Sequence, residues 1–299
     1  MADDRISRMR QLADRLRVKP GSKVTLPHDH DPADTAHFGQ KGDADQAIQD
    51  GVDLLAEYQE KLAAANSTGL LVLFQGMDAA GKDGTIRHVM SGVNPQGVEV
   101  TSFKVPSPEE LDHDFLWRAD RHLPGRGTIG IFNRSYYEEV LVVRVHPAIL
   151  AGQRLPASST GKDVWERRFR EINDWERYLV ENGFRIVKLF LNVSRDEQKK
   201  RFLERIAEPN SNWKFSAGDV RERASWDDYQ AAYADLLSNT STDWAPWHVI
   251  PADHKWFMRV AASAVIVDAL AAIDPQYPLA TPEEQTAMAQ AKAQLLAET

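Results

Sequence analysis

The chain has no cysteine among its 299 residues. Disulfides, thiolate metal sites and cysteine nucleophiles are therefore excluded, and any metal must rest on oxygen or imidazole ligands. There is no run of eighteen apolar residues, and the N-terminus MADDRISRMRQLADRLRV is charged throughout. Neither a membrane span nor a signal peptide is expected, and the location read from this is cytoplasmic. Positive charge is in deficit: 36 Lys and Arg against 44 Asp and Glu leave a net charge of −8. That balance argues against adhesion to nucleic acid or an anionic membrane, so a polyanionic ligand would need a locally basic groove. Internal repeats and low-complexity tracts are also missing.

What is present is enough apolar material, 42% of the chain, to bury one sizeable core. A short helix over about 4–17 precedes VKPGSKVTLPHDHDPADTAHFGQKGDA, 18–44, which has no hydrophobic period and reads as an irregular arm. Its His- and Asp-rich piece, 28–37, matches no zinc spacing, and a solvated arm or an interchain contact is expected there instead. From Asp43 to Asn66, Ile48, Val52, Leu55, Tyr58 and Leu62 recur at steps of three and four, which predicts an amphipathic helix.

Beyond it, apolar strands (70–75, 98–103, 128–133, 184–193, 247–252) alternate with helical stretches over PEELDHDFLWRADRHL, 161–182, 195–207, 218–238 and 254–273. The expectation is an α/β fold with a parallel sheet covered by helices on both faces, giving three layers. Residues 1–66 form the N-terminal part, 67–275 the body, and 276–299 a C-terminal helical extension. The last begins with a helix-start signal in TPEEQ and, together with the arm, suggests a homo-oligomer, dimer or tetramer.

The chemistry concentrates in three places. GMDAAGK, Gly76 to Lys82, follows a buried strand and opens a helix, the context in which backbone amides and a lysine cradle phosphate. Gly76, Ala79, Ala80, Gly81, Lys82, Asp83, Gly84 and Thr85 are its phosphate-binding candidates. The Ser or Thr that ligates Mg²⁺ in an ordinary loop of this kind is replaced by Asp83, while Asp78 adds a carboxylate inside the loop. A carboxylate there repels phosphate unless a cation stands between them, so Asp78 is assigned to Mg²⁺, with Mn²⁺ as the alternative ion. The competing reading is a turn-forming aspartate.

The second place is IGIFNRSYYEEVLVVRVHP, 129–147, where a strand ends in Asn133 and Arg134. Glu138 or Glu139 could supply the missing acid, with Glu138 the metal candidate. Arg134 and Arg144 would face phosphates or else form surface ion pairs. The third is 194–229, with Gln198, Arg201 and Arg205 on one helix face and Lys214 in a following turn. It reads as a basic lid over the phosphates, or as a solvated helix pair. Lys104 and Arg118 are candidates for the acceptor phosphate. Phe103, Phe132 and Trp117 could stack on a base or belong to the core. His248 and His254 are read as structural.

Taken together, GMDAAGKDGTIRHVMSGVNPQGVEVTSFKVPS, ELDHDFLWR, IFNRSYYEEVLVVRVHP, RDEQKKRFLERI, NWKFSAGD and APWHVIPADHKWFMR resemble the polyphosphate kinase 2 family over roughly 70–260. The branch they resemble, class III, acts on both AMP and ADP. The resemblance implies a P-loop kinase fold similar to thymidylate kinase, with a lid at about 195–225 and inorganic polyphosphate in place of ATP as donor. It implies Asp78, Lys82 and Arg134 as catalytic residues, Asn133 and Arg134 at the Walker B position, and Arg201, Arg205 and Lys214 as lid cations. Acceptor-nucleotide contacts fall to Lys104, Arg118, Asn133, Arg134, Glu138 and Arg144. Other branches resemble DRSWYN where this chain has NRSYYE, so the acid at 133 is lost and one at 138 gained. The expected activity is transfer of the terminal phosphoryl group of polyphosphate to AMP or ADP. The alternatives are an ATP-dependent nucleoside monophosphate kinase and a binding module without turnover.

Overall fold

The computed structural model describes residues 4–210 and 212–298. Five strands supply its centre: β1 (Gly69–Gln75), β2 (Val98–Ser102), β3 (Ile129–Asn133), β4 (Phe184–Asn192) and β5 (Trp247–Pro251). They lie in the order β2-β3-β1-β4-β5, and every neighbouring pair is parallel. Side chains alternate across the pleat, so Leu70, Val72 and Phe74 join one core while Leu71 and Leu73 join the other. Both faces are dry, which is why β1 reads as a continuous apolar run.

The helices in chain order are α1 (Asp4–Leu16), α2 (Lys41–Ala65), α3 (Lys82–Val89), α4 (Pro108–Leu111), α5 (Trp117–Asp120), α6 (Val142–Val145), α7 (Pro147–Gly152), α8 (Val164–Glu181), α9 (Arg195–Ala207), α10 (Ala217–Glu222), α11 (Trp226–Thr240), α12 (Lys255–Ile273) and α13 (Pro282–Ala297). Helices α1, α2, α3 and α12 cover one face of the sheet, with α8 and α11 on the other. β1 is central, and the chain leaves it toward β3 and β2 on one side and β4 and β5 on the other. The crevice beyond its carboxyl end is where such sheets bind ligands.

Two expectations need correction. The helix through PEELDHDFLWRADRHL is two single turns, α4 and α5, because Asp114 Oδ1 accepts the amides of Leu116 and Trp117 at 2.9 and 3.2 Å and restarts the chain. The helix over 218–238 is interrupted by a 3₁₀ turn at Arg223–Ser225 that separates α10 from α11. Helix α12 has the length and apolar composition to cross a bilayer, but 72% of its apolar stretch is buried inside the protein, in keeping with the expectation of no membrane span. It is the central core helix: small residues let it approach α2 so closely that a Cβ on Gly51 would stand 2.6 Å from Ser263 Oγ.

The arm packs on its own body. Val18 N–H donates to the Trp247 carbonyl at 2.8 Å, Asn192 Nδ2 to the His30 carbonyl at 2.9 Å, and Asp253 N–H to the Pro32 carbonyl at 3.0 Å. It thereby straps the carboxyl ends of β4 and β5. His248, buried with no partner on either ring nitrogen, is pushed down to about 3 by burial and stays neutral in the core. Helix α13 starts at a capping box between Thr281 and Glu284 and buries none of its residues.

Candidate active site

β1 ends in the core and delivers Gly76 at φ +156, where a Cβ would meet the Leu191 carbonyl at 2.9 Å. Only glycine fits that approach. The loop then turns through Ala79, at φ +61, into the start of α3 at Gly81. Its carbonyls are held from outside. Gln198 Nε2 donates to the Asp78 carbonyl at 2.8 Å; Arg201 Nη1 donates to those of Ala79 and Ala80 at 3.1 and 2.7 Å. Arg201 Nη2 bonds the Ala252 and Asp253 carbonyls and its Nε bonds Glu197, so the guanidinium is spent on the protein. It is a strut between the loop and the β5–α12 turn, and it also stands among the cations that line the cleft described below.

Lys82 lies inside this cradle. Its ammonium donates to the Gly76 and Met77 carbonyls at 2.6 and 3.2 Å, and burial, then the nearby Arg134 charge, pushes it down to about 8. Asp83, in the place of the usual hydroxyl, accepts from Asn133 Nδ2 at 2.7 Å, so the amide at the end of β3 ties to the first turn of α3. Gly84 opens on the cleft described below. Thr85 and Ala80 do not reach it: both are fully buried, the Thr85 hydroxyl bonds the Gly81 carbonyl at 3.0 Å, and the Ala80 amide bonds Met77 O at 3.1 Å.

Arg134 stands opposite. Its backbone is left-handed, φ +62, with its amide on the Phe74 carbonyl at 3.0 Å. Its guanidinium pairs with Asp78 and, at 3.0 Å, with Glu138; those two carboxylates, Glu138 foremost, raise its pKa. The buried Gln75 amide completes the corner, with its NH₂ on Glu138 Oε1 at 3.1 Å and its oxygen accepting from Ser135 Oγ at 3.0 Å. The sequence reading made Glu138, rather than Glu139, the metal candidate, and Glu138 is the one that stands beside the loop. Glu139 turns away into Arg168 at 3.0 Å and Gln153 at 2.8 Å.

Two hollows flank Arg134. A small one of about 30 Å³, room for one water, lies toward α10 and α11 and is lined by Glu138, Asp219, Glu222, Arg223 and Tyr229 among others. The other is a cleft of about 1000 Å³. Eight of the residues lining it are Lys or Arg, including Lys82, Arg87, Lys104, Arg205, Lys255 and Arg259, against four carboxylates. This is the basic groove that a chain of net charge −8 needs in order to hold a polyanion.

The remaining candidates scatter. Arg205 lines the cleft and reaches Asp219 at 3.4 Å. Arg118 holds the Lys104 carbonyl at 2.9 Å and lies over the Phe103 ring, so it supports the wall rather than facing the cleft. Arg144 does not come to the site: it pairs with Asp235 on α11 at 2.5 Å. Lys214 ends the 3₁₀ turn Asn212–Lys214, and its side chain lies outside the described residues. Phe132 is core, Trp117 stacks on His113, and Phe103 lines the cleft. Arg87, Lys255, Arg259 and Asp219 were not read from the sequence. Only the facing of α3 and α12 toward the cleft, and of α10 toward the small hollow, marks them.

Among the described residues no three His, Asp or Glu groups converge on one point. Asp78 and Glu138, each about a quarter exposed, form a pair of hard oxygen donors beside the loop. That set suits a small divalent cation that takes one or two carboxylates and completes its shell with water and phosphate.

A glycine loop between a buried parallel strand and a helix, opening on a cationic crevice, defines a P-loop phosphotransferase. The comparisons narrow that class. Residues 39–278 match the family Polyphosphate kinase 2, and the chain belongs to it. An ADP-polyphosphate phosphotransferase of Rhodopseudomonas palustris is 50% identical over 94% of this chain and 97% of its own. An AMP/ADP-polyphosphate phosphotransferase of Meiothermus ruber is 43% identical, over 88% and 95%. The crystal structure of polyphosphate kinase 2 from Arthrobacter aurescens TC1 superposes with a TM-score of 0.83 at 42% identity, over 93% of this chain and 96% of that one.

Proposed function

We propose that the chain is a polyphosphate-dependent nucleotide kinase that moves the terminal phosphoryl group of inorganic polyphosphate onto AMP or ADP, giving ADP or ATP. Family membership and the activities for which the Rhodopseudomonas and Meiothermus relatives are named support the donor and acceptors. The observation that carries the residue assignments is the Asp78–Arg134–Glu138 corner set beside a crevice with a local excess of positive charge.

Phosphoryl transfer asks chiefly for in-line positioning and charge neutralisation. The polyphosphate end lies on the loop amides, and the Lys82 ammonium leaves the Gly76 and Met77 carbonyls for phosphate oxygens. Arg87, Lys104, Arg205, Lys255 and Arg259 neutralise charge along the cleft. Arg134 offsets charge that develops as the bond breaks. The acceptor is a nucleotide phosphate oxygen, already ionised near neutral pH, so no strong base is needed and Asp78 acts as a holder rather than a proton acceptor. Asp78 and Glu138 would hold Mg²⁺, or Mn²⁺ in its place, which supplies Lewis-acid polarisation of the phosphoryl oxygens when bound. The 195–225 segment acts as a lid that excludes water.

We extend the proposal to a cytoplasmic homo-oligomer, for which the wholly exposed α13 offers a contact surface. The activity is tested with AMP or ADP, polyphosphate and Mg²⁺ in the absence of ATP, following nucleotides by chromatography. ADP and ATP should accumulate. Turnover of AMP with ATP as donor but none with polyphosphate would overturn the reading.

A further inference from the structure

The turn that carries Arg134 and Glu138 also holds two tyrosines that the chemistry above does not use. The phenols of Tyr136 and Tyr137 both donate to one oxygen, Glu176 Oε1, at 2.7 and 2.8 Å. The other oxygen of Glu176 accepts from Lys188 Nζ at 2.7 Å. Lys188 reaches the Tyr137 hydroxyl at 3.0 Å and the Thr240 carbonyl at 2.6 Å as well. Glu176 and Lys188 are each 0% exposed, and burial holds both phenols in their protonated, donating form.

A buried ion pair is a weak way to stabilise a fold, since well-packed apolar residues serve as well or better. Its merit is direction: each bond fixes a distance and an angle. The place of this pair shows what is being directed. Glu176 is on α8, Lys188 on β4 and Thr240 at the end of α11, three anchored elements, while the phenols belong to the turn that begins at Arg134. Arg134 itself has φ +62, a conformation that a residue with a Cβ keeps only where its surroundings impose it. The phenols pin the chain two and three residues further on, and Glu138 follows at once.

We propose that Glu176 and Lys188 are positioning residues for phosphoryl transfer, holding the Arg134–Glu138 turn against the Asp78 loop through the hydroxyls of Tyr136 and Tyr137. The inference rests on the reading that Arg134 works in the site.

The test is a double-mutant cycle on turnover with AMP and polyphosphate. The pair Tyr136→Phe and Tyr137→Phe keeps both rings and removes only the hydroxyls. It should lower kcat by about 10- to 100-fold, as small misplacements in a preorganised site do, with the KM for polyphosphate little changed. In an Arg134→Ala background the same pair should cost clearly less, because Arg134, one of the two groups it positions, is gone. If the double Phe protein folds poorly, Tyr136→Phe alone serves, since Glu176 then keeps the Tyr137 and Lys188 bonds. Wild-type kcat in a folded Phe variant would overturn the proposal. So would an equal loss in both backgrounds, the mark of a merely structural role. Full activity of Arg134→Ala would instead bring down the site reading itself, and this inference with it.

Discussion

The two faces of the sheet are built from different material. Under α1, α2 and α12 the core is mostly aliphatic: Leu54, Leu62, Val187, Leu189, Val265 and Leu270 are typical. Under α8 and α11 it is rich in aromatics, Phe132 and Tyr233 among them, with Tyr136, Tyr137 and Trp247 against the buried Lys188 and Glu176. Aliphatic burial has no direction and tolerates small shifts, whereas phenols, an ammonium and a carboxylate must meet at set distances and angles. The aliphatic face therefore supplies stability, and the aromatic face is where the turn bearing Arg134 is rooted.

That division can be broken by experiment. The largest effect is expected from Arg134→Ala, at the end of the polar face: kcat should fall by about 10³-fold, roughly 4 kcal/mol in the barrier, with the melting temperature almost unchanged. Unaltered turnover would mean that the corner is not where the chemistry happens. Next comes Leu270→Ala on the aliphatic face, where the side chain is fully buried. It should cost about 3 kcal/mol of unfolding free energy in denaturant titrations while kcat below the melting transition stays near wild type. A catalytic defect without loss of stability would erase the contrast between the faces.

The smallest effect concerns Lys82, in the loop cradle beyond the carboxyl end of β1. Its folded pKa of about 8 lies below the ordinary 10.5, so the ammonium strains the free enzyme below pH 8. Between about 8 and 10.5 the unfolded chain binds the extra proton, and stability contributed by this group rises with pH. Phosphate binding needs the ammonium, so kcat/KM for polyphosphate should fall about tenfold per pH unit above about 8. In Lys82→Arg that basic limb should vanish, because a guanidinium keeps its charge. A limb that survives the substitution belongs to another group.

Much of the architecture was legible because it is carried by local pattern. Continuous apolar runs located the strands within one or two residues, and the strand–GMDAAGK–helix order marked the phosphate loop before any fold was known. What misled was chemistry read from residue type alone. Arg144 is a cation in the right stretch of sequence, yet it pairs with Asp235 and lines neither hollow, while Arg201 lines the cleft but also braces carbonyls of the loop. Thr85 has a hydroxyl near the loop and uses it on its own helix. A charged group's partner is set by what faces it in space, and no spacing rule reports that.

The sequence by itself determined the fold class, the loop and the polyanion problem posed by a net negative chain, since periodicity, glycine placement and composition act over a few residues or over the whole sum. Only the tertiary structure gathered the cations of α3, α9 and α12 into one cleft and tied the Arg134 turn to Glu176 and Lys188. The tie of Tyr136 to Glu176 spans 40 positions of sequence. Electrostatic and hydrogen-bond energies depend on separations of a few ångströms that exist only once the sheet has brought its strand ends together.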